Sequence, residues 1–114
     1  MSSNIFYVYI RLKDATQTEL PIAARQTIRS DCGKTIIMSF SACKEREIEE
    51  CLLEKVKFWE KCMTYCEAKC HGAELVIHQI QTSNGGIELS HRMMGTIADA
   101  KLTLSVTYTA HRLV

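Results

Sequence analysis

Long uncharged apolar runs are absent from this sequence. None approaches the ~20 residues that a membrane-spanning helix needs. The apolar residues 5–10 form too short a run for a signal-peptide core, and no small-residue cleavage site follows them. These absences predict a cytoplasmic protein that has no membrane partner.

The sequence also lacks an excess of charge and any recognisable linker. Its 14 basic and 13 acidic residues give a formal net charge of +1, which provides no bulk attraction to nucleic acid or to anionic membranes. No low-complexity tract and no convincing internal repeat divides the chain. The 114 residues, of which 46% are apolar, are therefore predicted to form one domain, 1–114, with a core that needs no disulfides.

Known catalytic and cofactor-binding motifs are absent as well. The sequence contains no G-x-S-x-G, Walker loop, G-x-G-x-x-G or H-E-x-x-H motif, and no two carboxylates stand at a spacing typical of acid–base catalysis. We therefore predict that the protein is not an enzyme, with no catalytic residue and no cofactor.

Cysteine, by contrast, is plentiful. Five of the six cysteines fall in one predicted helix: Cys43, Cys51, Cys62, Cys66 and Cys70. Neighbours four residues apart in a helix are too far from each other for a disulfide, so we predict free thiols. A metal site at Cys62, Cys66, Cys70 and His71 is disfavoured, because Cys62 and Cys70 would lie ~12 Å apart along the helix axis. Packing of small apolar side chains explains these cysteines better, and no metal ligand is assigned.

The longest periodic segment runs from Cys43 to His71 and predicts a helix. Glutamates crowd its first turns, and Gly72 follows its last one as a C-terminal cap. Its apolar residues cover an arc of roughly 180°, wider than the ~100° stripe of an ordinary surface helix. Lys55 interrupts this arc, and we expect its ammonium group to stay in water while its stem lies on apolar surface.

The width of the arc suggests a second partner for the helix besides the sheet. We predict that this partner is another protein or a second copy of the chain. The edge of the arc is formed by Cys51, Phe58 and Tyr65, which are therefore candidate partner-binding residues.

Alternating apolar residues predict strands on both sides of the helix. The predicted strands are Ile5–Leu12, a weaker Arg25–Ser30, Lys34–Ser41, Glu74–Thr82, a segment that carries Ile87, Leu89, His91 and Met93, and Leu102–Ala110. In the third of these, Ile36, Met38 and Phe40 are expected to face the same way. Asp31-Cys32-Gly33 and Asn84-Gly85-Gly86 are predicted hairpin connections.

These elements predict an α+β domain. Its mainly antiparallel sheet of five or six strands, in the order βββ-α-βββ, carries one long helix packed across one face. On the other face, Tyr7, Tyr9 and Arg11 would lie side by side. Aromatic residues and arginine on an open sheet can stack on single-stranded bases, but the RNA-binding core motif is missing and the charge is balanced. We favour a solvated or self-associating face over a nucleic-acid site.

Histidine followed by arginine occurs twice near predicted strand ends. His91 and Arg92 form the first pair, and His111 and Arg112 form the second. If the two pairs meet in space, they would form a cationic patch for a phosphate or a carboxylate. Such a patch supports the alternative that the protein binds a small anionic metabolite or a nucleotide.

Taken together, these patterns favour a non-enzymatic protein-binding module that forms a homodimer and occupies the surface of a partner protein. Small inhibitors and adaptors encoded by phages and mobile elements share this size and this poverty in motifs. Two alternatives remain open at this point: the small-ligand protein just described, and a small enzyme that depends on Cys and His or on a metal.

Overall fold

The chain folds around one five-stranded sheet. The computed structural model describes residues 5–14, 16, 18, 20–65, 73–81 and 87–110. Within them the strands are β1 (Ile5–Lys13), β2 (Ile28–Cys32), β3 (Thr35–Cys43), β4 (Glu74–Gln81) and β5 (Thr103–Ala110). The helices are α1 (Ile22–Arg25), α2 (Ile48–Tyr65) and α3 (His91–Asp99), and a short 3-10 turn covers Glu45–Glu47.

The strands lie in the order β2-β3-β1-β4-β5. The β2–β3, β3–β1 and β1–β4 pairs are antiparallel, and β4 and β5 are parallel. The predicted hairpin joins β2 to β3, but its connection is Gly33 and Lys34, because Asp31 and Cys32 pair within the sheet. Gly33 has a φ of +64°, which glycine adopts readily. The predicted α+β class, with a mainly antiparallel sheet and one long helix, is confirmed.

The core lies between one face of the sheet and the helices. The strict alternation of β1 places Phe6, Val8, Ile10 and Leu12 on the core face, where all four are buried. Ile36 and Met38 of β3 and Leu75 and Ile77 of β4 join them. These residues of the three central strands β3, β1 and β4 form the sheet side of the core.

Helix α2 covers that face and contacts both β1 and β3. Its predicted apolar arc is buried at Ile48, Cys51, Leu52, Val56, Trp59 and Cys62. Helix α3 packs against α2 as well, so part of the excess apolar width predicted for a second partner is used within the chain. No helix in the described part of the chain is long and apolar enough to cross a membrane.

The predicted beginning of the long helix was wrong by several residues. β3 continues through Cys43, and the backbone N–H of Lys44 then donates to Glu47 Oε1 at 3.3 Å, which opens the 3-10 turn before α2. The glutamates that favour a helix N-terminus thus lie in and directly after this turn. The predicted end of the helix at His71 lies outside the described residues.

The strand predicted around residues 87–93 was also wrong. Residues 87–90 have no regular structure, and α3 begins at His91. The Ser90 hydroxyl accepts a hydrogen bond from the Met93 N–H at 3.1 Å and caps the helix. Met93 and Ile97, four residues apart, are buried on one side of α3. The helical spacing therefore outweighs the short alternation, and the predicted Asn84-Gly85-Gly86 hairpin lies outside the described residues.

A β-bulge separates Phe40 from the residues with which it was predicted to share a face. Between the Val8–Ser41 and Ile10–Met38 pairs, β3 carries one more residue than β1. Ser39 lies in this bulge with a φ of +54°, in the left-handed region that non-glycine residues rarely adopt. The extra residue turns Phe40 away from the core side of Ile36 and Met38 and onto the opposite face of the sheet.

Candidate functional site

The sheet face opposite α2, here called the outer face, carries a cluster of three aromatic rings. Tyr7 and Tyr9 of β1 both stack on Phe40 of β3, with ring centroids 5.2 Å and 5.6 Å apart. Arg29 reaches the same ring from β2, the other neighbour of β3. Its guanidinium carbon lies 4.0 Å from the centroid of the Phe40 ring. We call these four side chains the aromatic cluster. Stacked rings and a cation over a ring are mutually stabilising arrangements, so the cluster is a preformed surface.

A shallow cavity of about 370 Å³ lies along the aromatic cluster. Ile37 and Ser30 line it on one side, and His78 lines it on the other. Its walls combine large aromatic surface with the hydroxyl, imidazole and guanidinium groups at its border. This composition suits contact with an apolar group that carries a polar or acidic end.

Two polar groups flank the cluster. On one flank Glu74 accepts hydrogen bonds from Arg11 and from Lys13, the latter at 3.0 Å. These two donors hold the pKa of Glu74 below its usual value. On the other flank, His78 Nδ1 and Nε2 lie 2.6 Å and 3.1 Å from the hydroxyls of Thr107 and Thr109 of β5. The polar border is thus fixed by its own hydrogen bonds.

The structure places the six predicted partner-binding residues in two groups. Tyr7, Tyr9 and Arg11 share the outer face, as their alternation along β1 predicts. Cys51 is buried in the core, so its side chain is not at the surface. Phe58 is half-buried and packs against the core, and the side chain of Tyr65 lies outside the described part of the structure. Cys51 and Phe58 thus lie on the core side of the sheet, apart from the three β1 residues on the outer face.

The predicted ligand-binding residues are described only in part. His91 and Arg92 are exposed in the first turn of α3. His111 and Arg112 lie outside the described residues, so the meeting of the two His-Arg pairs stays a prediction.

Of the described thiols, Cys51 and Cys62 are buried and Cys43 is half-buried, while Cys32 is exposed. Cys43 at the end of β3 and Cys51 on α2 are hydrogen-bonded to each other, and burial raises the pKa of Cys43 to about 12. Burial raises the pKa of Cys51 as well. A thiol with a raised pKa carries little thiolate at neutral pH. Among the described residues no group of three metal-ligating side chains is found, while Cys66, Cys70 and His71 of the predicted cluster lie outside them.

Sequence reasoning missed Phe40, Arg29, His78 and Lys55. Phe40 was predicted to share a face with Ile36 and Met38, and Arg29 was not distinguished from other surface cations. The position of His78, between Thr107 and Thr109, depends on the parallel β4–β5 pairing, which follows from the α3 crossover. Lys55 was expected to hold its ammonium in water, but the residue is buried and Nζ donates to Ser41 Oγ at 2.6 Å. The apolar neighbours of Lys55 on α2 were the available signal, since a lysine inside an apolar arc is a candidate for burial.

Comparisons with protein-family models, with curated proteins and with solved structures find no match for this chain.

Proposed function

We propose that the protein is a non-enzymatic protein-binding module whose outer sheet face contacts the partner. The observation that carries this proposal is the aromatic cluster with its hydrogen-bonded polar border. Protein interfaces are enriched in tyrosine, phenylalanine and arginine at their centre and are polar at their edge. Tyr7, Tyr9, Phe40 and Arg29 match the centre, and Glu74 and His78 match the edge.

The chemistry of the cluster indicates what the partner presents. The three rings need an apolar surface in contact, and the exposed Arg29 needs an acidic group near that surface. Helices cover the core face of the sheet, whereas no described helix packs on the outer face. The partner is thus a protein with an apolar patch and a neighbouring carboxylate, and its binding would occupy the patch in the manner of an inhibitor or an adaptor.

The test is quantitative affinity capture from the host cell with matched tyrosine variants. Tyr7→Ala and Tyr9→Ala each remove one ring of the cluster, while Tyr108→Ala removes an exposed tyrosine on the core-facing side of β5. A tyrosine at the centre of an interface contributes about 2 kcal/mol or more to the binding free energy. We therefore expect Tyr9→Ala to bind the partner roughly 30-fold more weakly. Tyr108→Ala should retain the partner.

Light scattering of the same variants tests the predicted homodimer. A dimer that dissociates in Tyr9→Ala and persists in Tyr108→Ala would identify the partner as a second copy of the chain. Equal capture by wild type and both outer-face variants, together with an unchanged oligomeric state, would contradict the proposal.

A further inference from the structure

A second cavity, of about 440 Å³, lies where β2, the bulge of β3 and helix α2 meet. Its lining includes Thr27, Arg29, Ser39, Phe40, Ser41 and Lys55. Two of them are cationic and three carry hydroxyl groups. None of the described residues that line this cavity is acidic.

Lys55 is the unusual member of this set. It is only 3% exposed, yet it lines the cavity. Its ammonium group has three N–H donors, and Ser41 Oγ accepts one of them at 2.6 Å. No ion pair of Lys55 is found in the described part of the chain. A buried ammonium without a counter-charge is costly, and an anion in the cavity would remove that cost.

Arg29 supplies the second positive charge. Its guanidinium lies over Phe40, an arrangement that holds the group at the border of the cavity. Guanidinium is planar with five N–H donors, and it binds the oxygens of phosphate through two parallel hydrogen bonds.

The hydroxyl groups divide into two kinds. Thr27 Oγ1 already donates to the carbonyl of Ala24 at 2.8 Å and therefore has no donor to offer. Ser41 Oγ accepts from Lys55, which leaves its own O–H as a donor. Ser39, held at the bulge with its positive φ, adds another hydroxyl to the same wall. The cavity thus combines two cations with two hydroxyl donors.

We infer that this cavity binds a phosphate group, with Lys55 and Arg29 providing the charge and Ser39 and Ser41 donating hydrogen bonds. A phosphate dianion has several oxygens and two negative charges, which match two cations and two hydroxyls better than a single carboxylate does. Arg92 lines a different cavity. The phosphate site shares Arg29 and Phe40 with the aromatic cluster, but phosphate binding is measured without any protein partner.

The source of the phosphate follows from the neighbouring rings. Phe40 lines both this cavity and the shallower one along the aromatic cluster. A phosphate attached to a planar base would gain stacking on these rings, whereas inorganic phosphate would use the charged cavity alone. Adenosine monophosphate and inorganic phosphate are therefore the two probes.

The test is calorimetric titration of the intact chain with each probe at constant ionic strength. Lys55→Met keeps the apolar stem and removes the ammonium, and Arg29→Gln removes the second charge at an exposed position. Lys57→Met, on the exposed face of the same helix, is the matched control. We expect wild type and Lys57→Met to bind inorganic phosphate equally, and Lys55→Met and Arg29→Gln to lose about tenfold or more in affinity.

Amide chemical shifts give a second measurement that does not depend on affinity. Phosphate should move the amide signals of Ser39 and Ser41 in wild type and leave them in place in Lys55→Met. Circular dichroism establishes whether each variant is folded. If Lys55→Met does not fold, the phosphate affinity of Arg29→Gln tests the inference. A gain of tenfold or more for adenosine monophosphate over phosphate would identify a nucleotide, and equal affinities would identify free phosphate. Absence of binding by wild type, or wild-type affinity in both charge variants, would overturn the inference.

Discussion

The two faces of the sheet are built from the same strands but are stabilised differently. On the core face of β1, Phe6, Val8 and Ile10 are fully buried beneath helix α2. On the outer face of the same strand, Tyr7 and Tyr9 are only partly covered, and both rings stack on Phe40. Burial of apolar area thus holds the core face, while ring stacking and hydrogen bonds order the outer face.

This difference separates stability from recognition. A residue of the core face contributes to folding and is inaccessible to a partner. A residue of the outer face contributes less to folding but presents its ring or its charge to solvent. Variants on the two faces should therefore have opposite profiles, a large loss of stability on one and a large loss of binding on the other.

The largest expected effect is on the core face. Ile10→Ala should lower the free energy of unfolding by about 2–5 kcal/mol, because it leaves a cavity beneath α2. The adjacent Tyr9→Ala, on the outer face, should lower it by only about 1 kcal/mol, since its ring is partly exposed and loses one stacking contact. Urea unfolding followed by tryptophan fluorescence measures both. Equal losses would show that the outer face is as important for folding as the core.

An intermediate effect is expected at the border of the outer face. Glu74→Gln should lower the free energy of unfolding by about 1–2 kcal/mol at neutral pH, because Arg11 and Lys13 lose the carboxylate that accepts from them. These hydrogen bonds lower the pKa of Glu74 in the folded protein from its ordinary value of 4.5. Between the lowered pKa of the folded state and 4.5, the folded protein therefore binds fewer protons than the unfolded chain.

The pH dependence of that difference follows from the sign of the shift. The stability that Glu74 contributes is complete above pH 4.5 and is lost as the pH falls through the lowered pKa of the folded state. The gap between wild type and Glu74→Gln should thus close in acid, as measured by urea unfolding over a pH series. A gap that stays constant in acid would show that the amide changes packing rather than removing a charge interaction.

Part of this architecture follows from the sequence, and part does not. The alternation in β1 predicted both faces of that strand correctly, since one residue in two is buried throughout its length. Alternation failed at Phe40, because a bulge shifts the side-chain period by one and depends on pairing with β1 rather than on local composition. It failed again near Met93, where four alternating residues were too few to compete with a capped amphipathic helix.

The candidate sites show the same division. Tyr7, Tyr9 and Arg11 were identified because they lie on one strand, and local order is enough to place them together. Arg29, Phe40 and His78 reach the same face from three other strands, so only the strand order brings them into contact. Lys55 and Ser41 likewise meet across the helix–sheet packing. The sequence did not reveal which distant segments come into contact, and these contacts form both candidate sites.

The smallest expected effect concerns the bulge that separates the two faces at Phe40. Ser39 has a φ of +54°, which costs a non-glycine residue about 1–2 kcal/mol, and glycine would remove that strain. Because glycine also increases the entropy of the unfolded chain, Ser39→Gly should raise the free energy of unfolding by only about 0.5 kcal/mol. Ser105→Gly, in the regular part of β5, is the control and should lower it by about 0.5–1 kcal/mol. If both variants are destabilised alike, the positive φ at Ser39 is not a source of strain. If Ser39→Gly is stabilised and keeps the aromatic cluster, the backbone of the bulge, rather than the serine side chain, is what places Phe40 on the outer face.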